Sequence, residues 1–419
     1  MIARRRMTTE STMARIRTAL VVGGGIAGPA AALALHKAGI SPTIYESYPR
    51  GADGVGGVLT LAPNGLDALR IIGLQDAVRA IGQPITTMAI ADGRGRKFCE
   101  FAGLPGMPPS LVLWRADLHR VLREHAVACG IGIEFGKRLV GAMEDSSGIT
   151  ARFADGSSAR ADVLIGADGI RSTVRSLIDP AAPGPQYTGL LGFGGLAPHG
   201  VARTPPGTMT FVYGRQAFFG YWSAPDGRTF WFGSLPRDEP LTLAQARSVG
   251  AIEWLRVLRT TYAGDAPARN LVASTSAEHF IIAGAGEMLP VVPRWHRGRM
   301  VLVGDAAHAP SSSSGQGASL SIESSLQLAR CLRDLPDAAA AFAAYERLRR
   351  ARVEKVAADA ARTNSRKAAG PVARAVMHLL MPLAVKTFLK PHRLFGSLHG
   401  YRIPWDDTIG AGQPAVGAS

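Results

Sequence analysis

Thr18-Ala19-Leu20-Val21-Val22-Gly23-Gly24-Gly25-Ile26-Ala27-Gly28 is the stretch on which the reading of the fold turns. Its first five residues are a short apolar run, of the kind parallel strands show when both faces are buried. Glycines follow at once, and Ala30 to Lys37, rich in Ala and Leu, has the composition of a helix. Strand, tight turn and helix in that order predict a dinucleotide site. Gly23 permits the turn, Gly25 lets the backbone approach a pyrophosphate, and Gly28 lets helix and strand pack closely, with Ala27 in the same turn. The helix N-terminus then faces the phosphate charge. A second apolar strand, Pro42 to Tyr45, ends at Glu46, 18 residues beyond Gly28, where a carboxylate can accept hydrogen bonds from ribose hydroxyls.

Other stretches end in the same manner. Asp162 to Ala167 reads as a buried strand with Asp168 and Gly169 at its carboxyl end, where ligands of open α/β sheets gather. Taken alone, the run from Asp168 to Arg175, Asp-Gly-Ile-Arg-Ser-Thr-Val-Arg, reads better as an Asp-Gly turn capping a helix that starts near Ser172. Met300 to Val303 is a further strand, followed by Gly304-Asp305-Ala306-Ala307-His308. After Ser311 to Ser314, the turn Gly315-Gln316-Gly317 opens a helix that extends to about Leu332. Arg115 opens another helix, with Leu118, Val121 and Leu122 at its apolar positions.

Taken in this order, the glycine turn, the DGxxSxxR run and GDAAH with its following GQG resemble the FAD-dependent group A aromatic monooxygenases, which share the fold of para-hydroxybenzoate hydroxylase. The resemblance runs from about Arg17 to about Trp405. It implies an α/β protein: a Rossmann-like FAD-binding domain, an inserted mixed or antiparallel β-sheet substrate domain, and C-terminal helices. It also implies cofactor roles for Gly23, Gly25, Ala27, Gly28, Glu46, Gly57, Arg115, Asp168, Asp305, Gly315, Gln316 and Gly317, with Asp305 on the ribitol chain and GQG against the isoalloxazine. Backbone N–H groups at Gln316 and Gly317 could there stabilise charge on reduced flavin. The implied activity is that of a single-component monooxygenase, since the chain has no second dinucleotide fold. NADPH or NADH reduces FAD, and dioxygen then gives a flavin hydroperoxide that oxygenates a small aromatic molecule. Two positions depart from the family. Ser311 and Ser312 stand where a proline is common after GDAAH, and Glu323-Ser324 replaces Glu-Asp. These departures leave open an alternative, a biosynthetic flavoprotein with structural FAD that catalyses a non-redox cyclisation. The WxWxIP motif of flavin halogenases is absent.

Between the motifs the texture changes. Ile85 to Ala91 and Arg96 to Phe101 are strand-like runs joined through Asp92-Gly93, a hairpin signal. From Tyr187 to Leu235 come more strands, rich in Phe, Tyr and Trp. The expected layout is a disordered basic tail at 1–16; the FAD domain from 17–84, 102–180 and 291–335; the substrate domain from 85–101 and 181–290; and a helical region from 336–419. Phe219 and Tyr221 share one strand face, Phe218 and Trp222 the other. Arg215, Tyr221 and His199 are the candidate catalytic residues, with Tyr213 a further polar anchor. The aromatic composition suggests a bulky planar or polycyclic substrate.

Composition sets outer limits. At 419 residues, with 47% hydrophobic, the chain is long enough for two or three domains with sizeable cores. Cys99, Cys129 and Cys331 have neither disulfide-framework nor metal-ligand spacing, which predicts a reduced, cytoplasmic setting and no metal. Arg4-Arg5-Arg6 is followed by polar residues where a signal peptide needs an apolar core. The formal charge of +15 is concentrated in residues 1–17, net +4, and 330–393, net +9. Without aromatic interleaving, that distribution argues for nonspecific attraction to polyanions and against a dedicated nucleic-acid site. Val376 to Leu389 is apolar but too short to span a bilayer and carries Pro382 and Lys386, so membrane contact is not expected.

Overall fold

A computed structural model describes residues 15–50, 57–202, 204–367 and 391–410. The expected segment Val376 to Leu389 and residues 1–14 of the expected basic tail lie outside them. Two large sheets organise the chain. The first has six strands in the order His296–Arg297, Met300–Leu302, Val163–Gly166, Thr18–Val22, Ser41–Glu46 and Gly132–Phe135. All neighbours are parallel except the short outer hairpin, His296–Arg297 with Met300–Leu302. Thr18–Val22 is central and nearly wholly buried, as its unbroken apolar sequence requires. The chain leaves it on one side for Ser41–Glu46 and later returns on the other as Val163–Gly166, so the strand order reverses there. A crevice forms at such a switch point, outside the carboxyl ends of the strands.

The second sheet has seven strands in the order Phe280–Met288, Gln186–Ala197, Thr229–Pro236, Phe218–Ser223, Thr208–Tyr213, Thr87–Asp92 and Lys97–Ala102. Its pairs are antiparallel apart from Thr208–Tyr213 with Thr87–Asp92, which makes the sheet mixed and joins two stretches distant in sequence. Helices Ala251–Thr261 and Ala266–Ser274 cover one face, enclosing a core of Phe193, Phe219, Tyr221, Trp231, Trp254 and Tyr262.

Helix Gly317–Asp334 lies at the centre of the molecule and is buried from Ser319 to Leu332. Its polar side chains must therefore find partners. Ser325 Oγ donates to Ala27 O at 3.0 Å, which fixes this helix to helix Ala27–Lys37, and Ser319 Oγ accepts from Ala62 N at 3.1 Å. The 30-residue helix Ala338–Lys367 packs alongside. No helix among the described residues is long and apolar enough to cross a membrane.

Candidate active site

A cleft of about 1110 Å³ lies between the carboxyl edge of the parallel sheet and one face of the mixed sheet. On the parallel-sheet side, backbone turns form the wall. Gly23 takes φ +107°, and a Cβ there would stand 2.4 Å from Ala167 O, so the turns after two adjacent strands abut with no room for a side chain. A Cβ at Gly28 would lie 1.8 Å from Gly23 O. Gly28 therefore acts through packing and, unlike the other expected cofactor residues, does not line the cleft. Gly25, Gly57 and Gly317 do line it, and a Cβ at any of them would meet nothing within 4 Å.

Helix caps divide in the same sense. Helix Ala27–Lys37 and helix Gly317–Asp334 both begin at the cleft, and neither has a side-chain cap, so their first-turn amides are left for a ligand. Helix Thr173–Ile178, by contrast, is capped by the chain itself. Ser172 Oγ accepts from Arg175 N at 2.9 Å, while Asp168 accepts from Ser172 Oγ and from Val174 N at 3.0 Å. Burial pushes the Asp168 carboxyl up, and the Ser172 hydrogen bond opposes it. Arg175 is buried and donates to Ala306 O at 3.1 Å and Ile170 O at 2.7 Å, so it ties the DGxxSxxR run to the GDAAH turn. Asp168 itself still borders the cleft.

Glu46 ends its strand at the cleft with both oxygens engaged. Oε2 accepts from Gly24 N at 2.6 Å and Oε1 from Tyr48 N at 2.8 Å. Asp305 differs. Its carboxylate accepts no hydrogen bond among the described residues; burial raises its pKa and the charge of the Arg115 guanidinium, which also lines the cleft, opposes that rise. A half-buried carboxylate at the cleft is placed to accept from a donor such as a ligand hydroxyl. Amides, glycine-lined hollows and this acceptor are together the complement of a dinucleotide with a polyhydroxyl chain, so the residues fit FAD. One expectation needs correction. The Gln316 N–H donates to Ser314 Oγ at 3.0 Å, because the serine turn folds back under it, and so it does not point a donor at a ligand. Gln316 is instead anchored through its side chain, Oε1 accepting from Asn64 Nδ2 at 3.1 Å.

Behind the GQG turn lies a buried polar network that the sequence did not disclose. Asn64 Nδ2 also donates to Glu323 at 2.6 Å; Glu323 pairs with Arg349 at 2.7 Å and is gripped through both oxygens by Arg352 at 2.9 and 3.0 Å. Burial pushes the Glu323 carboxyl up, but the two arginines bring it below its ordinary value. Ser324, at the departure from the family pattern, receives Arg349 Nε at 3.2 Å and pairs with His308 at 2.8 Å. Burial, reinforced by Arg349, lowers His308 to about 3, so it is neutral. Ser311, at the other departure, donates to Asn364 on helix Ala338–Lys367.

The opposite wall is aromatic. Phe218 and Trp222 face the cleft, joined by Phe211, Tyr213, Phe230 and Phe232. Trp222 stacks on Phe230 with ring centroids 5.2 Å apart. The three expected catalytic residues lie elsewhere. Tyr221 points to the far face of its strand, into the core with Phe219. Arg215 sits exposed in the Gly214–Gln216 turn, its N–H bound to Asp265, and His199 is exposed in the turn after Gln186–Ala197. Both occupy connections at the ends of strands, away from the cleft-facing side chains. Pro198-His199-Gly200 and Gly214-Arg215-Gln216 carry turn residues that already signal this.

The FAD binding domain family profile matches residues 17–360. The chain is 32% identical over 344 residues to an FAD-dependent urate hydroxylase of Klebsiella pneumoniae, covering 80% of this chain and 86% of that one. It is 31% identical over 353 residues to 3-amino-4-hydroxybenzoate 2-monooxygenase of Streptomyces cremeus, covering 80% and 84%. Among solved structures, Klebsiella pneumoniae HpxO in complex with FAD and uric acid superposes with a TM-score of 0.79 at 27% identity, covering 92% of this chain and 96% of that one.

Proposed function

The chain belongs to the FAD binding domain family, among the FAD-dependent aromatic monooxygenases, and from that premise we propose that it oxygenates a bulky aromatic or polycyclic small molecule using NADH or NADPH. The observation that carries the substrate class is the cleft itself, with a glycine-and-amide wall on one side and Phe211, Phe218, Trp222, Phe230 and Phe232 on the other. When bound, FAD supplies hydride acceptance and the activation of dioxygen. This chain's residues supply position. The uncapped amides of helix Ala27–Lys37 would receive the pyrophosphate, Glu46 and Asp305 would accept hydrogen bonds from its hydroxyl groups, and Arg115 would offset the charge of Asp305 and phosphate together. The aromatic face holds a planar substrate by stacking and area and keeps water from the reacting groups.

The test is consumption of NADH and NADPH by the purified flavoprotein across a panel of hydroxylated aromatics and polycycles, with product analysis under labelled dioxygen. Substrate-stimulated oxidation with label in the product supports the proposal. Product formed at full rate without nicotinamide, dioxygen or label would sink it in favour of a cyclisation.

A further inference from the structure

Lys367, the last described residue of helix Ala338–Lys367, lines the cleft on its aromatic side. It is buried, its Nζ stands 3.8 Å from the Phe218 ring centroid, and it donates to Ser313 Oγ at 3.0 Å. Other basic side chains lining the cleft, Arg115, Lys137, Arg138 and Arg171, come from the cofactor wall, as do the carboxylates of Glu46, Asp168 and Asp305. Among the described residues, the titratable side chains that the elements around Lys367 bring to the cleft are Tyr213, whose ring meets Phe218 at 5.3 Å, and His399, at the end of helix Pro391–His399. Burial, with Arg352 adding to it, lowers His399 to about 4, so it is neutral.

We propose that Lys367 is a catalytic residue that takes the proton from an acidic hydroxyl of the aromatic substrate and then pairs with the resulting anion. The substrate O–H bond breaks, its proton goes to the Nζ lone pair, and the electron pair stays on oxygen. That charge enters the ring and makes it the better nucleophile that an oxygen-transfer reaction needs. Both forms of the group suit the task. Burial lowers the Lys367 amine to about 7, so near neutrality it has a population able to accept a proton, and the ammonium it becomes is a cation set over an aromatic face. Ser313 fixes the direction of Nζ. The inference rests on the monooxygenase reading and narrows its substrates to phenols and related acidic heteroaromatics.

The experiment uses FAD-loaded wild type, Lys367→Met and Lys367→Arg, with 4-nitrophenol as the probe, its phenolate being visible by absorbance. On wild type the probe should ionise at a pH lower than in buffer by about one unit, a roughly ten-fold change. Lys367→Met should abolish that shift while keeping full flavin. Lys367→Arg should retain it as a fixed cation but lose the dependence of binding on a group titrating near 7, and this variant decides the matter if the Met variant loses flavin. Equal ionisation on wild type and Lys367→Met, or no shift on wild type, overturns the proposal. Label from dioxygen entering products without any ionisation shift would leave the monooxygenase reading standing and remove Lys367; a shift with no label incorporated would do the reverse.

Discussion

The two walls of the cleft are built from different materials. The cofactor wall is backbone, in which Gly23 and Gly28 sit where even a methyl group would overlap a carbonyl oxygen. The substrate wall is side chain, an aromatic face on a pleated sheet in which Trp222, Phe230 and Phe232 lean on one another. Backbone turns locked between strands have nowhere to move, whereas a layer of rings can repack around a gap. The first wall should therefore fail as a unit and the second by degrees.

The sharpest way to break this contrast is Gly28→Ala. With its Cβ 1.8 Å from Gly23 O, the variant should yield no soluble flavin-loaded protein, as read from the flavin-to-protein absorbance ratio. Full occupancy would mean that the turn is far softer than its geometry. Next in size is Arg349→Met, which leaves Glu323 buried with Arg352 and Asn64 only. A loss on the order of 3 kcal/mol is expected in denaturant unfolding. A cost near zero would detach the network from the support of the GQG turn.

Asp305→Ala should keep the fold and weaken FAD by at least about ten-fold in fluorescence titration of the apoprotein, since each charge-assisted hydrogen bond is worth roughly 1.5–3 kcal/mol. Unchanged affinity would show that the open carboxylate is not an acceptor for the cofactor. Phe230→Ala probes the other wall. Full flavin and a loss of roughly ten-fold in kcat/KM are expected, because a pocket wall of this kind discriminates by about 1–3 kcal/mol. Flavin loss would show that the walls are not independent.

The smallest effect concerns acid. His308 is held neutral with a pKa of about 3, against an ordinary 6.5, so between those values the unfolded chain binds the extra proton. Stability should fall as pH drops from about 6.5 toward 3, and His308→Gln should flatten that part of the Tm-against-pH curve. A slope identical to wild type would place the acid sensitivity elsewhere.

The contrast between the walls also decides what could be read beforehand. Thr18 to Gly28, Asp168 to Arg175 and Gly304 to Gly317 are each contiguous, and their chemistry comes from local backbone conformation: a positive φ, an uncapped helix start, a carboxylate at a strand end. Local conformation is written in adjacent residues. The aromatic wall was legible only as composition. Alternation along Phe218–Ser223 separated Phe218 and Trp222 from Phe219 and Tyr221, but which pair meets the cleft depends on helices Ala251–Thr261 and Ala266–Ser274 covering the other face. Arg215 and His199 were singled out for their chemistry, and turn geometry carried them away from it.

The sequence by itself determined the parallel sheet, its glycine turn, the order of the three motifs and the carboxylates of Glu46 and Asp305 that end or follow two of its strands. Tertiary structure alone decided which aromatic face forms the pocket, that Glu323 is held by Arg349 and Arg352, and that Lys367 reaches Phe218. These pairs lie between 26 and 149 residues apart. No local pattern specifies such contacts, because they are selected only when the buried faces of whole helices and sheets come together and every polar group shut in with them must find a partner.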